Sequence, residues 1–354
     1  MNDKKVVLVT GVAGYWGAHV AATLHLEPGL HVIGLDEQPP AFEIEGLDYV
    51  DAGVENPLLA DFLNTEGVEV ICHMKFMESV DRDGDARSAN IQGAKNILKA
   101  GYQAGIRQII FRSSTAVYGA HPDNPAFLTE DMPHRGSRSY GYTSDWLEVE
   151  SLIADSRDRA PQTSLAVLRF ANIVGSSAET PFTSFLNQTA PLVLFGFDPV
   201  MQMVHESDVL AAISFSVLNN TEGVFNIAAD GAMPLSRILR LVRRFPMPIF
   251  HPIAYRGLNL MRKGQYQACD YVPIEWDYLR YPWVADTGKM HREMGFLPSI
   301  SSEDGLLEFA GRLSSESKGS ESDEPPTNEA HMREIMQRRA QERNGDIRGD
   351  GEIE

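Results

Sequence analysis

Two hydroxyl side chains and a glycine-rich loop hold the chemistry legible in this sequence. Tyr140 opens the segment "SYGYTSDWLEVE", whose apolar spacing reads as a helix. A free phenol of pKa ~10 is only about 0.1% ionised at neutral pH, so a tyrosine that trades protons needs a positive charge beside it. The position four residues on lies one helical turn away on the same face. Ser144 stands there, and it carries no charge. Tyr142 fares no better, because the residue one turn after it is Trp146. The loop "TGVAGYWG" sets Gly11, Gly14 and Gly17 between an apolar, β-branched run and a helical pattern. That context gives each glycine a reason: Gly11 for a tight turn, Gly14 for close approach of a pyrophosphate, Gly17 for helix packing on strand. Asp36 ends the next apolar run, 19 residues after Gly17, where a carboxylate can accept hydrogen bonds from both adenosine ribose hydroxyls. The "EQPP" that follows has no Arg or Lys for a 2′-phosphate, which favours NAD over NADP.

These residues need a scaffold that brings strand ends together. The runs "KVVLVTG", "LHVIGLD", "GVEVICHM", "RQIIFRSS" and "TSLAVLRFAN" read as strands. Between them "AHVAATLHL", "PLLADFLNTEG", "SANIQGAKNILKAGYQAG" and "SDWLEVESLIADS" carry helical periodicity. The alternation predicts an α/β fold, a doubly wound parallel sheet with helices on both faces. The expected domains are a dinucleotide-binding domain over 1–180, with segments around 200–230 returning to it, and a smaller C-terminal substrate domain over 181–313. The latter holds "SFLNQTAPLVLFG", "VFNIAAD", "PLSRILRLVRRF" and a Pro- and aromatic-rich stretch from Pro246 to Trp283.

Composition narrows the partners. The 354 residues are 43% hydrophobic and 23% charged, enough to bury a full core. No run approaches the length of a membrane span and the chain enters a strand at once, so a cytoplasmic protein is expected. Residues 314–354 carry 11 acids and 6 bases and little to bury, which predicts a disordered acidic tail with "HMREIMQRRAQER" as a short isolated helix. The body keeps 38 acids against 25 bases, a net −13 of the chain's −18. Such charge repels phosphate backbones and anionic lipid, so neither nucleic acid nor a membrane surface is an expected partner. Cys72 and Cys269 are too few and too far apart for a disulfide framework or a zinc site, no metal is expected, and both are read as core residues.

The glycine spacing and the motifs after it resemble the extended short-chain dehydrogenase/reductase family, the NAD-dependent nucleotide-sugar epimerases and dehydratases. The resemblance runs from about Val6 to Leu313. "ICHM" is similar to the strand that ends near the nicotinamide ribose, with Met74 in the cofactor's path, and "ANIQGAKNIL" to the helix that carries Asn90. "RSSTAVYG" is similar to the strand bearing the catalytic Ser or Thr, and "RFANIVG" to the segment whose Asn172 faces substrate. "MVHESDV", "VFNIAAD" and the closing "DTGKMHREMGFLPS" match later landmarks. The resemblance implies a Rossmann-type fold with Tyr15 and Trp16 in the cofactor loop. It implies Tyr140 as proton donor or acceptor, Ser114 holding the same substrate oxygen, and a homodimer.

The resemblance also sharpens what is missing. Its members place a lysine at the position of Ser144, where it tunes the tyrosine and binds the nicotinamide ribose. Among the lysines, only Lys75 in "CHMKF" stands at a strand end facing the cofactor crevice, and it is the candidate substitute. The bland alternative is a lysine whose charged head reaches solvent. Gly53 replaces the acid usual near adenine, with Asp51 a weak stand-in, while His73 and His205 read as structural. The expected activity is hydride transfer on a nucleotide sugar or a similar hydroxyl or carbonyl compound. A catalytically weak NAD-binding protein with a sensing or scaffolding role is the alternative, and a lipid or polyketide carbonyl a third reading.

Overall fold

The computed structural model describes residues 4–78, 84–138, 140–255 and 273–317. Cys269, the middle of the Pro- and aromatic-rich stretch (256–272) and the tail from residue 318, with "HMREIMQRRAQER", lie outside these residues. Residues Met1–Gly311 form one compact unit and Arg312–Glu354 a second.

The β-branched runs become β1 (Lys5–Thr10), β2 (Leu30–Asp36), β3 (Asp48–Asp51), β4 (Val70–His73), β5 (Gln108–Ser114) and β6 (Ser164–Phe170). With the strand Gly223–Ile227 they form one seven-stranded sheet in the order Gly223–Ile227, β6, β5, β4, β1, β2, β3. Every pairing in it is parallel. The order reverses between β1 and β4, and ligands of such sheets bind at that reversal, beyond the carboxyl ends of the strands. Gly11 and Lys75 both follow strands that end there.

The α-helices among the described residues include α1 (Tyr15–His25), α2 (Leu59–Thr65), α3 (Gly84–Ala104), α4 (Gly141–Ser156), α5 (Pro181–Asn187), α6 (Glu206–Asn219), α7 (Leu235–Leu241) and α8 (Ser302–Ser317). Alternation along β1 shows how they sandwich the sheet. Val7 and Val9 enter a core layer with Val20 and Leu24 of α1 and Val209 and Ile213 of α6. Leu8, pointing the other way, enters the layer with Leu63 of α2 and Ile97 of α3. Full burial of a side chain such as Leu8 contributes about 2 kcal/mol, and the buried strands repeat it on both faces.

Some elements lie outside the strand and helix runs picked out from the sequence pattern. The edge strand β3, "DYVD", has only four residues and an acid at each end. Its pairing with β2 makes it a strand. Helix α6 starts immediately after the strand Met203–His205, with His205 accepting a cap bond from Ser207 N at 3.2 Å. In the irregular region "SFLNQTAPLVLFG" splits into α5, started by Pro181 and a Thr180–Thr183 capping box, and a short strand, Leu192–Leu194.

Candidate active site

The glycine loop is built for close approach. Gly11 has φ +81°, a left-handed conformation that side chains avoid, and a Cβ there would lie 2.6 Å from the Lys75 backbone nitrogen. A Cβ on Gly17 would lie 2.0 Å from the carbonyl oxygen of Gly11, so only glycine lets α1 start against the loop. Helix α1 begins at Gly14 with no side-chain cap and no acid in its first turn. Its N-terminal N–H groups and positive dipole end are therefore offered to an anion.

Asp36 is buried at the end of β2. Its carboxylate accepts hydrogen bonds from Ala13 N at 3.2 Å and from Glu37 N at 2.8 Å, which fixes it over the loop. Lys75 meets the acids at the end of β2. Its ammonium lies 3.5 Å from Asp36 Oδ1 and 3.4 Å from Glu37 Oε2, at the end of the crevice that Asp36 marks. Burial pulls its pKa down, but Asp36, Glu37 and Glu55 outweigh burial and raise it. The charge is engaged by those acids. Gly53 sits in the same acidic corner, where an added Cβ would lie 2.4 Å from Glu55 Oε2 and 2.7 Å from Glu37 Oε1. Asp51 is exposed on β3 opposite Asp36.

Met74 is buried beyond β4, its N–H on Thr10 O at 3.3 Å. His73 shares a 2.8 Å hydrogen bond with the Thr10 hydroxyl, and burial, helped by Lys75, lowers its pKa to about 4. It is a neutral structural histidine at pH 7. The Tyr15 hydroxyl donates to Glu206 at 2.7 Å, so its side chain ties the loop to α6. Asn90 is buried on α3. It accepts from Met77 N at 2.8 Å, and its amide donates to Met77 O at 3.0 Å and to Asp145 Oδ2 at 2.9 Å. Asn90 thus joins the segment after β4 to α4. Asn172 donates to Gln202 O at 3.0 Å.

At the other end of the crevice Tyr140 is the buried N-cap residue of α4, with Ser144 N donating to its carbonyl at 2.9 Å. Its ring meets that of Tyr142 edge-on, centroids 5.3 Å apart. Ser114 ends β5, half-buried, and its hydroxyl accepts from Ala116 N at 3.2 Å. Ser144 is buried beside Tyr140 and its hydroxyl accepts from Arg87 Nη1 of α3 at 3.1 Å. The same guanidinium pairs with Asp145 at 2.9 Å and with Glu148.

Neither this cluster nor three neighbouring features were foreseen. Arg112 of β5 is buried between the rings of Trp16 and Trp146, 5.4 Å from each centroid, and bonds Glu78 at 2.8 Å. Phe76 stacks on Trp146 with centroids 3.4 Å apart. Behind α4, Glu150 and Arg169 form a buried bidentate pair that extends to Ser113, Tyr118 and Asn226. One sequence signal pointed to Arg87: it lies three residues before Asn90, on the same face of α3.

The family model for the NAD-dependent epimerase/dehydratase family matches residues 7–228. The chain belongs to that family. It is accordingly an NAD-dependent epimerase/dehydratase-like oxidoreductase, and NAD is its cofactor. The glycine cradle, the uncapped start of α1 and the oriented Asp36 fit that dinucleotide. An uncharacterized protein of Mycobacterium tuberculosis is 30% identical over 320 residues, 87% of this chain and 84% of its own length. The UDP-glucose 4-epimerase of Bacillus subtilis is 28% identical over 186 residues, 48% of this chain and 53% of that protein. Among solved structures, the UDP-glucose 4-epimerase of Thermus thermophilus in complex with NAD superposes with a TM-score of 0.68 at 18% identity, covering 87% of this chain and 99% of that one. The Thermotoga maritima UDP-glucose 4-epimerase with UDP-glucose gives 0.65 at 21% identity, over 88% and 99%. These likenesses confirm the doubly wound fold.

Proposed function

We propose that this protein interconverts or dehydrates a nucleotide sugar, with Tyr140 moving the proton of the reacting hydroxyl and Ser114 holding the same oxygen. The observation that supports it is the joint presence of the glycine cradle, Asp36, Ser114 and Tyr140, each at a strand or helix end of one parallel sheet fold. NAD, when bound, supplies a reversible hydride acceptor. Gly11, Gly14 and the backbone of Tyr15 and Trp16 would hold its pyrophosphate, and Asp36 its adenosine ribose. Met74 would line the path, while Asn90 acts by fixing Met77 and Asp145. Ser114, at the end of β5, would orient the sugar oxygen so that the buried Tyr140 hydroxyl can take or return its proton.

Residues 181–313 and Asn172 would form the substrate side of the crevice. Curated relatives and structural neighbours named as acting on or holding UDP-sugars support that substrate class. Among the described residues no helix is long and apolar enough to cross a membrane. A cytoplasmic homodimer completes the reading. The test is direct: NAD-loaded protein is incubated with UDP-glucose, UDP-glucuronic acid and UDP-N-acetylglucosamine, and products are resolved by proton NMR. Conversion of one of them, lost in Tyr140→Phe, is the expected result. No conversion and no change in nicotinamide absorbance with any of the three would overturn the substrate assignment.

A further inference from the structure

The tyrosine's missing cation has a replacement on the neighbouring helix. We infer that Arg87, reaching from α3 to α4, supplies the positive charge that the family places on a lysine at position 144. This inference rests on the proposed role of Tyr140. Three observations carry it. First, the guanidinium donates to the hydroxyl of Ser144 at 3.1 Å, so the charge lies at the side chain that occupies the lysine's position. Second, the placement is held rigidly. Asp145, itself buried, binds Arg87 through one carboxylate oxygen and Asn90 through the other, and Glu148 takes the second guanidinium nitrogen. Third, a serine is the side chain that fits: it is short enough to leave room for the guanidinium and offers an oxygen to accept from it. A lysine at 144 would bring a second cation to the same spot.

The surrounding charges fix the sign of the effect. Asp145 and Glu148 face Arg87 from α4. Glu78 and Arg112 lie toward the strand ends, and Glu275 and Tyr278 flank Tyr142. Removing the guanidinium would leave the carboxylates of Asp145 and Glu148, within about two and a half turns of Tyr140 along α4, without their Arg87 partner. Both the lost cation and the uncovered acids disfavour phenolate. Arg87 is thus a positioning residue, acting on the proton equilibrium of Tyr140 without touching the sugar.

The experiment reads Tyr140 directly and needs no sugar. Protein carrying [13Cζ]tyrosine is titrated by NMR in the presence of NAD, with the Tyr140 signal assigned by its loss in Tyr140→Phe. In Arg87→Gln its midpoint should rise by about one pH unit or more, while Arg87→Lys should stay near wild type. Equal midpoints in wild type and in folded, NAD-binding Arg87→Gln would overturn the inference. Ser144→Lys guards against a misfolded Arg87 variant. If Arg87 already supplies the charge, added lysine should move the midpoint by less than about half a unit, whereas a fall of more than about one unit would show a position that lacked a cation and overturn the inference. A failed sugar assay would leave this readout untouched, so the two ideas fail separately.

Discussion

The two ends of the crevice solve their binding problems with different materials. The glycine-loop end uses backbone: a left-handed Gly11, a Gly17 with no room for Cβ, and helix N–H groups left uncapped. The Tyr140 end uses side chains, and its charge comes from a residue 57 positions away in sequence, Arg87 to Ser144. Backbone geometry depends on the local residues that adopt it, so it persists as a motif. A charge can be delivered from any element within reach, and so can change its address without changing its place.

Three measurements would sharpen or break that contrast. The largest effect belongs to the side-chain end. Tyr140→Phe should reduce turnover by about 10²–10⁴-fold, the usual contribution of general acid–base catalysis. NAD affinity by calorimetry should stay within about threefold, because the backbone-built end is untouched. A parallel loss of NAD binding would mean the two ends are not separable. Next comes the converse, Gly17→Ala. The added methyl meets rigid backbone at 2.0 Å, and relieving it should cost about 3 kcal/mol in urea unfolding and weaken NAD binding at least about tenfold. An alanine variant with wild-type stability and affinity would show that the loop tolerates what the geometry forbids.

The smallest effect concerns His73, which sits under the crevice. Its folded pKa of about 4 lies below the unfolded 6.5, so between these values the unfolded chain binds more protons and stability falls as pH falls. The histidine's share of that loss is nil above pH 7 and on the order of 2 kcal/mol at pH 5. His73→Gln should flatten the wild-type decline between pH 7 and pH 5 by that amount, measured by urea unfolding. Identical slopes in the two proteins would refute the assignment of a buried neutral imidazole.

What the sequence disclosed follows the same division. Gly11, Gly17 and Asp36 were legible because their roles depend on neighbours in the chain, and the β-branched runs announced the sheet by their burial on both faces. The edge strand β3 was not, since "DYVD" becomes a strand only by pairing with β2. Lys75 was placed at the strand end where it lies, but its acidic partners were not foreseen. Position along β4 set where its backbone lies, whereas Asp36 and Glu37, arriving from β2, set where its ammonium goes. Arg87 reaches Ser144, and Arg112 reaches Trp146, only because α3 and β5 pack against α4, and no local pattern records either contact. A search limited to lysines also overlooked the longer reach and forked donors of arginine.

The pair behind α4 has a consequence for how the tyrosine is aimed. Glu150 is gripped by Arg169 of β6, which also holds Tyr118, and Tyr118 in turn bonds Asn226 of the strand beyond. The chain of bonds works as a keel: it fixes the angle through which α4 can roll about its own axis. Because a helix turns as a single body, a substitution at Glu150 would swing the far end, where Tyr140 begins, without replacing any residue of the crevice. Loss of aim there would look, in a turnover assay, like loss of the tyrosine itself.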